Sequence, residues 1–436
     1  MRLRSLMTFV GWYGVLVAPL CAGAPDVGRP ALVREVLDGK RQEARASWWG
    51  FDPHDSTEFL QNALHSNVKR LIVDRQASAW VTRPLSGVSD QEIVFEAGTE
   101  LVALKGAFQA KGDCLLSFRE CHHVTVRGAA EAGRSAARLR MQKADYQSDA
   151  YAKSEWRHGL VFSGCRDVLV QDLTIEQTGG DGIYLGASSK TGSNRNVVIR
   201  RVDCHANHRQ GISVISAENL LIEDCRLRHT QGTAPQAGID FEPNHWTDVL
   251  VHCVVRRCLA EGNSGTGYQI CPQYLSGRSK PMSIYLEDCV SRNNGQHGVH
   301  MCTAQQDAPG GLLHITGFVS EDDGMAGLSC QFNPWDAVRI EVIDSVLRDC
   351  ARQDSFFPPI FVQSVNSGER PGGNIHFQRV LVEDDLDRPF FRISDPKGNG
   401  LKDVTGQIIL ERCGQKETIV VDDAWLRKIS GGSSRP

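Results

Sequence analysis

The chain has 436 residues, a formal net charge of −4 and no block of basic residues, which argues against a nucleic-acid-binding protein. Its 42 glycines and 7% aromatic content point to many turns and short strands rather than a helical bundle. Beyond the N-terminus no apolar run is long enough to span a bilayer.

Met1-Arg2-Leu3-Arg4, an apolar run from about Leu6 to Leu20 and then Ala22-Gly23-Ala24 have the layout of a cleavable secretory signal. The expectation is that residues 1–24 are removed and that the protein acts in the periplasm or outside the cell. Residues 25–47 are a lead-in, residues 48–425 one domain, and residues 426–436 a disordered tail. Fourteen cysteines in an exported chain invite a disulfide reading.

Asp55, with Glu58 three residues later, reads as a capping box. Phe59, Leu60, Ala63 and Leu64 follow at helical spacing, which predicts one short amphipathic helix. Short apolar strands follow near residues 69–74, 80–81, 92–95, 101–104, 115–118 and 124–126.

From Gly159 a repeat emerges. Gly182, Gly211, Gly238, Gly267, Gly298 and Gly327 open successive units about 27 to 31 residues apart, a solenoid period. Each opens with Gly, an apolar residue, a variable residue and another apolar residue, as in Gly182-Ile183-Tyr184-Leu185 and Gly211-Ile212-Ser213-Val214. Two further short strands per unit predict a three-stranded coil that buries its inner face by stacking.

Two columns test that register. Leu173, Val202, Cys225, Cys258, Cys289 and Phe318 fall at one inward position, so these cysteines read as small buried hydrophobes. Thr178, Asn207, Thr230, Asn263, Asn294 and Asp323 fall at one corner, where Asn and Asp suit left-handed turns bonded to their own backbone.

With its Asp55-Ser56-Thr57 helix start, asparagine ladder, Gly-Ile-x-apolar strands and Gly238-Ile239-Asp240-Phe241-Glu242-Pro243-Asn244 segment, the chain resembles the right-handed parallel β-helix, pectate-lyase-like superfamily. The resemblance covers roughly residues 48–413. It implies an all-β, single-domain right-handed parallel β-helix solenoid with a short N-terminal capping helix. The superfamily holds polysaccharide lyases, glycoside hydrolases, uronate epimerases and non-catalytic adhesins, so fold alone does not select among them. Asp52-Pro53-His54-Asp55 is similar to a tetrapeptide of alginate epimerases, but here it precedes the helix, outside the repeat.

The candidate site follows from strand alternation. With Ile239 and Phe241 inward, Asp240 and Glu242 point outward together, and the column through Asp240 reads Tyr184, Ser213, Asp240, Gln269, His300. Asp181 starts the strand two rungs away, about 10 Å by rung spacing, close to the carboxyl separation of inverting glycosidases, about 6.5–9.5 Å. Asp240, Glu242 and Asp181 are therefore the candidate acid and base, and Tyr184, His208, Arg209, Asn244, Gln269 and His300 the candidate sugar-binding residues. Four extra residues within 232–236, the stretch 243–246 and the connection 272–281 are candidate walls, and Lys190, Arg195, Arg278 and Lys280 are loop cations. Cys271 and Cys302 share one register on adjacent rungs, within disulfide range of about 4.4–6.8 Å, and either redox state remains open.

The expectation is a polysaccharide-cleaving enzyme, with a glycoside hydrolase favoured, no cofactor or metal, a polysaccharide as partner and a monomeric state. The alternatives are a uronate lyase, whose acids would hold Ca²⁺ and whose base would be Arg209 or His208, and a non-catalytic glycan-binding protein.

Overall fold

The structure is a computed structural model that describes residues 26–303, 306–352, 354 and 356–430. The expected signal and residues 431–436 lie outside the described residues.

Alternating apolar residues make each coil of three short parallel strands, such as Ile183–Gly186, Asn194–Arg200 and Asp203–His205. The glycine-opened strands stack into an 11-stranded parallel sheet running from Leu85–Ser86 to Phe391–Ser394. The second and third strands form a 24-stranded sheet. These two faces merge because the long strand Gly372–Glu383 pairs with both Val338–Ile343 and Val346–Arg348. Only Leu401–Arg412 and Gln415–Val421 pair antiparallel among the described strands, closing the C-terminal end.

The predicted register holds. Ile183, Ile212, Ile239, Tyr268, Val299 and Leu328 align on consecutive rungs, and all are buried in one continuous apolar core. The column from Leu173 through Cys225, Cys258 and Cys289 to Phe318 is buried in the same core. Its thiols behave as the packing groups the spacing implied. All cysteines among the described residues are free, and of these Cys413 alone is exposed. Cys271 and Cys302 sit beside the paired residues Ile270 and Met301 with their thiols unlinked.

The recurrent glycine has a packing cause. A Cβ on Gly182 would lie 2.6 Å from the Gly211 carbonyl oxygen, one on Gly211 2.5 Å from that of Gly238, and one on Gly238 2.7 Å from that of Gly267. Each rung rests its backbone on the next where a side chain would stand.

The corner ladder works differently from the expected own-backbone turn. The left-handed residues are the ones just before it, Ala206, His229, Asn293 and Asp322 among them. The ladder side chains instead accept the backbone N–H of the neighbouring rung: Thr230 to Asn263, Asn263 to Asn294 and Asn294 to Asp323, each 3.0 Å. The amides of Asn263 and Asn294 donate onward to the next ladder oxygen at 2.8 and 2.9 Å.

Short helices occur toward both ends. The N-terminal pair is Pro30–Leu37 and Thr57–Leu64, the latter burying Leu60, Ala63 and Leu64. Ser56, not Asp55, holds the N-cap position, and the capping-box bond is absent. Asp55 instead accepts the Thr57 N–H at 3.1 Å and pairs with Arg83 at 2.9 Å. Residues 426–430, expected as disordered tail, belong to the helix Asp423–Ser430; Leu426 is buried, and the Trp425 ring meets Phe391 at 5.2 Å. No helix among the described residues is long and apolar enough to cross a membrane.

Candidate active site

The outer face of the 11-stranded sheet carries the expected column, since Tyr184 pairs with Ser213, Ser213 with Asp240, Asp240 with Gln269 and Gln269 with His300. The expectation that Asp240 and Asp181 open to solvent is overturned. Both are fully buried, with His158 Nδ1 3.2 Å from the Asp181 carboxyl and the Gln210 amide 2.8 Å from that of Asp240.

Above them lies a cleft of about 560 Å³ whose lining includes Tyr184, Arg209, Glu242 and Asn244. Sequence reasoning missed the rest of its polar wall, Arg119, Glu155 and His158, and its exposed aromatic flanks, Trp156 and Tyr274. Tyr274 comes from the 272–281 connection, which is a wall as expected. His158 was findable: it precedes Gly159 as Asp181 precedes Gly182. Glu155 and Trp156 lie in a connection without repeat character, and no signal marked them.

Arg209 is the hub. Its guanidinium pairs with Glu242 at 2.8 Å and Glu155 at 3.5 Å, and the charges of Asp181, Glu242 and Asp240 raise its pKa against the opposing effect of burial. It is therefore a fixed cation.

Beneath the hub, the two carboxyls are held in a medium that resists charge. Burial pushes Asp181 up to about 7, against the pull of Arg209. Neither of its side-chain oxygens meets a hydrogen-bond donor. The nearest ring atom, His158 Nδ1 at 3.2 Å, already accepts the Asp181 N–H at 2.9 Å. Burial, then the Arg209 charge, drops His158 to about 3, so its ring is neutral with the proton on Nε2. Asp240 accepts from Gln210 at 2.8 Å. Burial first and the charge of the adjacent Glu242 second raise it well above the carboxylate range. The His158 ring stacks on Tyr184 with centroids 4.6 Å apart, fixing both.

The remaining expected residues lie elsewhere. His208 turns to the inserted loop, where its Nε2 meets Thr233 Oγ at 2.9 Å; burial, then the Lys143 charge, lowers it to about 4. The inserted residues 232–236 pack on that histidine and are not part of the cleft lining. Gln269 is buried next to Asp240 in the column, and His300 lies one rung further, stacked on His297 at 5.1 Å. Both are outside the cleft.

Residues 148–308, which contain Glu155, Asp181, Asp240 and Glu242, match the family model described as the right handed beta helix region. Over 96 residues the chain is 31% identical to the uncharacterised protein YclG of Bacillus subtilis, covering 20% of this chain and 16% of that one. Over 154 residues it is 24% identical to the SPbeta prophage-derived uncharacterised protein YorA of the same species, covering 33% and 22%. The matches thus span less than a quarter of either relative. Among solved structures, the Dettilon tailspike protein superposes with a TM-score of 0.53 at 10% identity, over 83% of this chain and 65% of that one. Together with the strand register, these likenesses establish the architecture: the chain is a right-handed parallel β-helix protein.

Proposed function

We propose that the protein cleaves a polysaccharide by hydrolysis in the cleft over Arg209. The observation that carries this reading is the pairing of two cleft carboxylates, Glu242 and Glu155, on one guanidinium above two fully buried carboxyls. Buried acids with raised pKa values oppose folding, and sites that do chemistry are where such groups concentrate. In this reading Glu242 is the general acid, giving a proton to the leaving oxygen of the scissile bond. Glu155, across the guanidinium, activates water, and Asp181 tunes the field beneath. Trp156, Tyr184 and Tyr274 offer ring faces to sugars, with a polar edge on each, and Asn244 donates at the rim.

Hydrolysis is favoured over elimination because neither suggested lyase base is suited. Arg209 is held protonated by its acids, and His208 is engaged with Thr233 outside the cleft. The proposed reaction uses no cofactor and takes place after export, in a monomer.

The test is a panel of neutral and acidic polysaccharides, read for new reducing ends and for ultraviolet-absorbing unsaturated products. Wild type is expected to generate reducing ends with no unsaturated product, unchanged by chelator. Glu242→Gln is expected to lose at least about a hundredfold in kcat, the scale of one acid–base group. Equal turnover by wild type and Glu242→Gln refutes the assignment of the site. Glycan binding with no turnover by either protein refutes the enzyme reading and leaves a binding protein.

A further inference from the structure

Three residues past Arg119 of the cleft wall, three donor atoms converge at a corner between two adjacent rungs. Asp90 lies just before the strand Gln91–Phe95, and His122 and His123 open the strand His122–Gly128, which pairs with it in parallel. His122 Nδ1 lies 3.2 Å from His123 Nδ1, His123 Nδ1 lies 2.9 Å from an Asp90 carboxylate oxygen, and His122 Nδ1 lies 3.4 Å from that same oxygen. Metal–ligand bonds of about 2.0–2.1 Å in tetrahedral geometry place neighbouring donors about 3.3 Å apart. The three observed separations bracket that edge.

Hydrogen bonding alone does not account for the cluster. With the proton on His123 Nδ1 directed at Asp90, the 3.2 Å contact between the two Nδ1 atoms has no hydrogen of its own. Other rungs close this same left-handed corner with amide contacts: Asn196 donates to Asp167 at 2.8 Å and Asn219 to Asn196 at 3.1 Å. The rungs of Asp90 and His123 carry a carboxylate and an imidazole instead. A second observation points to a ligand. The free Asp167 oxygen lies 3.4 Å from His123 Nε2, the outer carboxylate that orients a metal-bound histidine. The side chains of His122, His123 and Asp90 are 34%, 59% and 46% exposed, so an ion has a path in.

We propose that Asp90, His122 and His123 bind one divalent transition-metal ion, with Zn²⁺ best suited to this N₂O donor set. Water completes the tetrahedron. On binding, the ring proton of His123 moves from Nδ1 to Nε2, where Asp167 accepts it. The ion joins two rungs near the N-terminal end of the solenoid, and its role is mechanical rather than catalytic.

The test uses the full mature protein without a polyhistidine tag, stripped by chelator and then freed of it. Zn²⁺ alone is titrated calorimetrically, and retained metal is counted by mass spectrometry after dialysis. One equivalent is expected for wild type, with a higher melting temperature on Zn²⁺ addition and no response to Ca²⁺ or Mg²⁺. The pair His122→Ala/His123→Ala is expected to lose that equivalent while melting like wild type without metal. Should the pair fail to fold, Asp90→Asn takes its place. Asp167→Asn is expected to bind about tenfold more weakly. The same Zn²⁺ stoichiometry and affinity in wild type and the ligand variants overturns the site, as does the absence of any retained ion in wild type. Unchanged affinity in Asp167→Asn overturns the orienting role.

Discussion

Asp181→Asn is expected to stabilise the protein at pH 8 and to leave it unchanged near pH 4. The Asp181 carboxyl is fully buried and its pKa stands at about 7 in the folded chain, against about 3.9 in an unfolded one. A group whose folded pKa is raised binds more protons in the folded state between those two values. Stability therefore falls as pH rises from about 4 to about 7, at up to about 1.4 kcal/mol per pH unit. The accumulated cost at pH 8 is about 4 kcal/mol. Asparagine keeps the shape and carries no charge to desolvate. For a chain of this size unfolding cooperatively, 4 kcal/mol corresponds to a rise of about 4 to 5 °C in melting temperature. Thermal melts of both proteins at pH 4, 6 and 8 read the difference directly. A variant that melts below wild type at pH 8, or whose offset is the same at all three pH values, refutes the claim that burial of this carboxyl opposes folding.

Two further outcomes follow from the packing. Asn294→Ala removes the acceptor of the Asn263 N–H and of the Asn263 amide, and is expected to cost about 3 kcal/mol through the orphaned buried donors, measured by chemical denaturation. With an aromatic disulfide reagent, Cys413→Ser is expected to abolish the fast-reacting thiol of the native mature protein, because the other described thiols are buried; a fast phase that survives the substitution contradicts that burial.

Much of the coil is legible in the sequence because its two periods are rigid. The two-residue alternation sets which side chains enter the core, and the rung length sets which residues stack. Together they bring Ile212, Ile239 and Tyr268 into one file. The same reasoning places Ser213, Asp240 and Gln269 on the outer face, correctly. It does not reveal how deep they lie, because alternation assigns a face and says nothing of what covers it. Over the neighbouring Asp181 that cover includes His158, 3.2 Å from its carboxyl, in a connection whose spacing differs from the later units. Hence Asp240, read as a solvent-facing acid, is a buried one, while Glu242 two residues on reaches the cleft. His208 and Arg209 show the same limit: neighbours in sequence, they part at the corner, one toward Thr233 and the other into the cleft.

The glycine column sets a rule for how this chain can change length. Where a backbone oxygen of one rung occupies the place of the next rung's Cβ, the stack has no slack for a partial turn within the strand. Residues can be added at corners, as the 232–236 loop shows, or a complete coil can be added that restores glycine beneath glycine and ladder amide beneath ladder amide. Whole turns added beyond the rung of Glu242 and Tyr274 would displace the cleft and the antiparallel C-terminal pair relative to each other by a fixed step of about 4.8 Å per added rung, leaving each intact. The scaffold thus behaves as a ruler, along which sites can be respaced without being rebuilt.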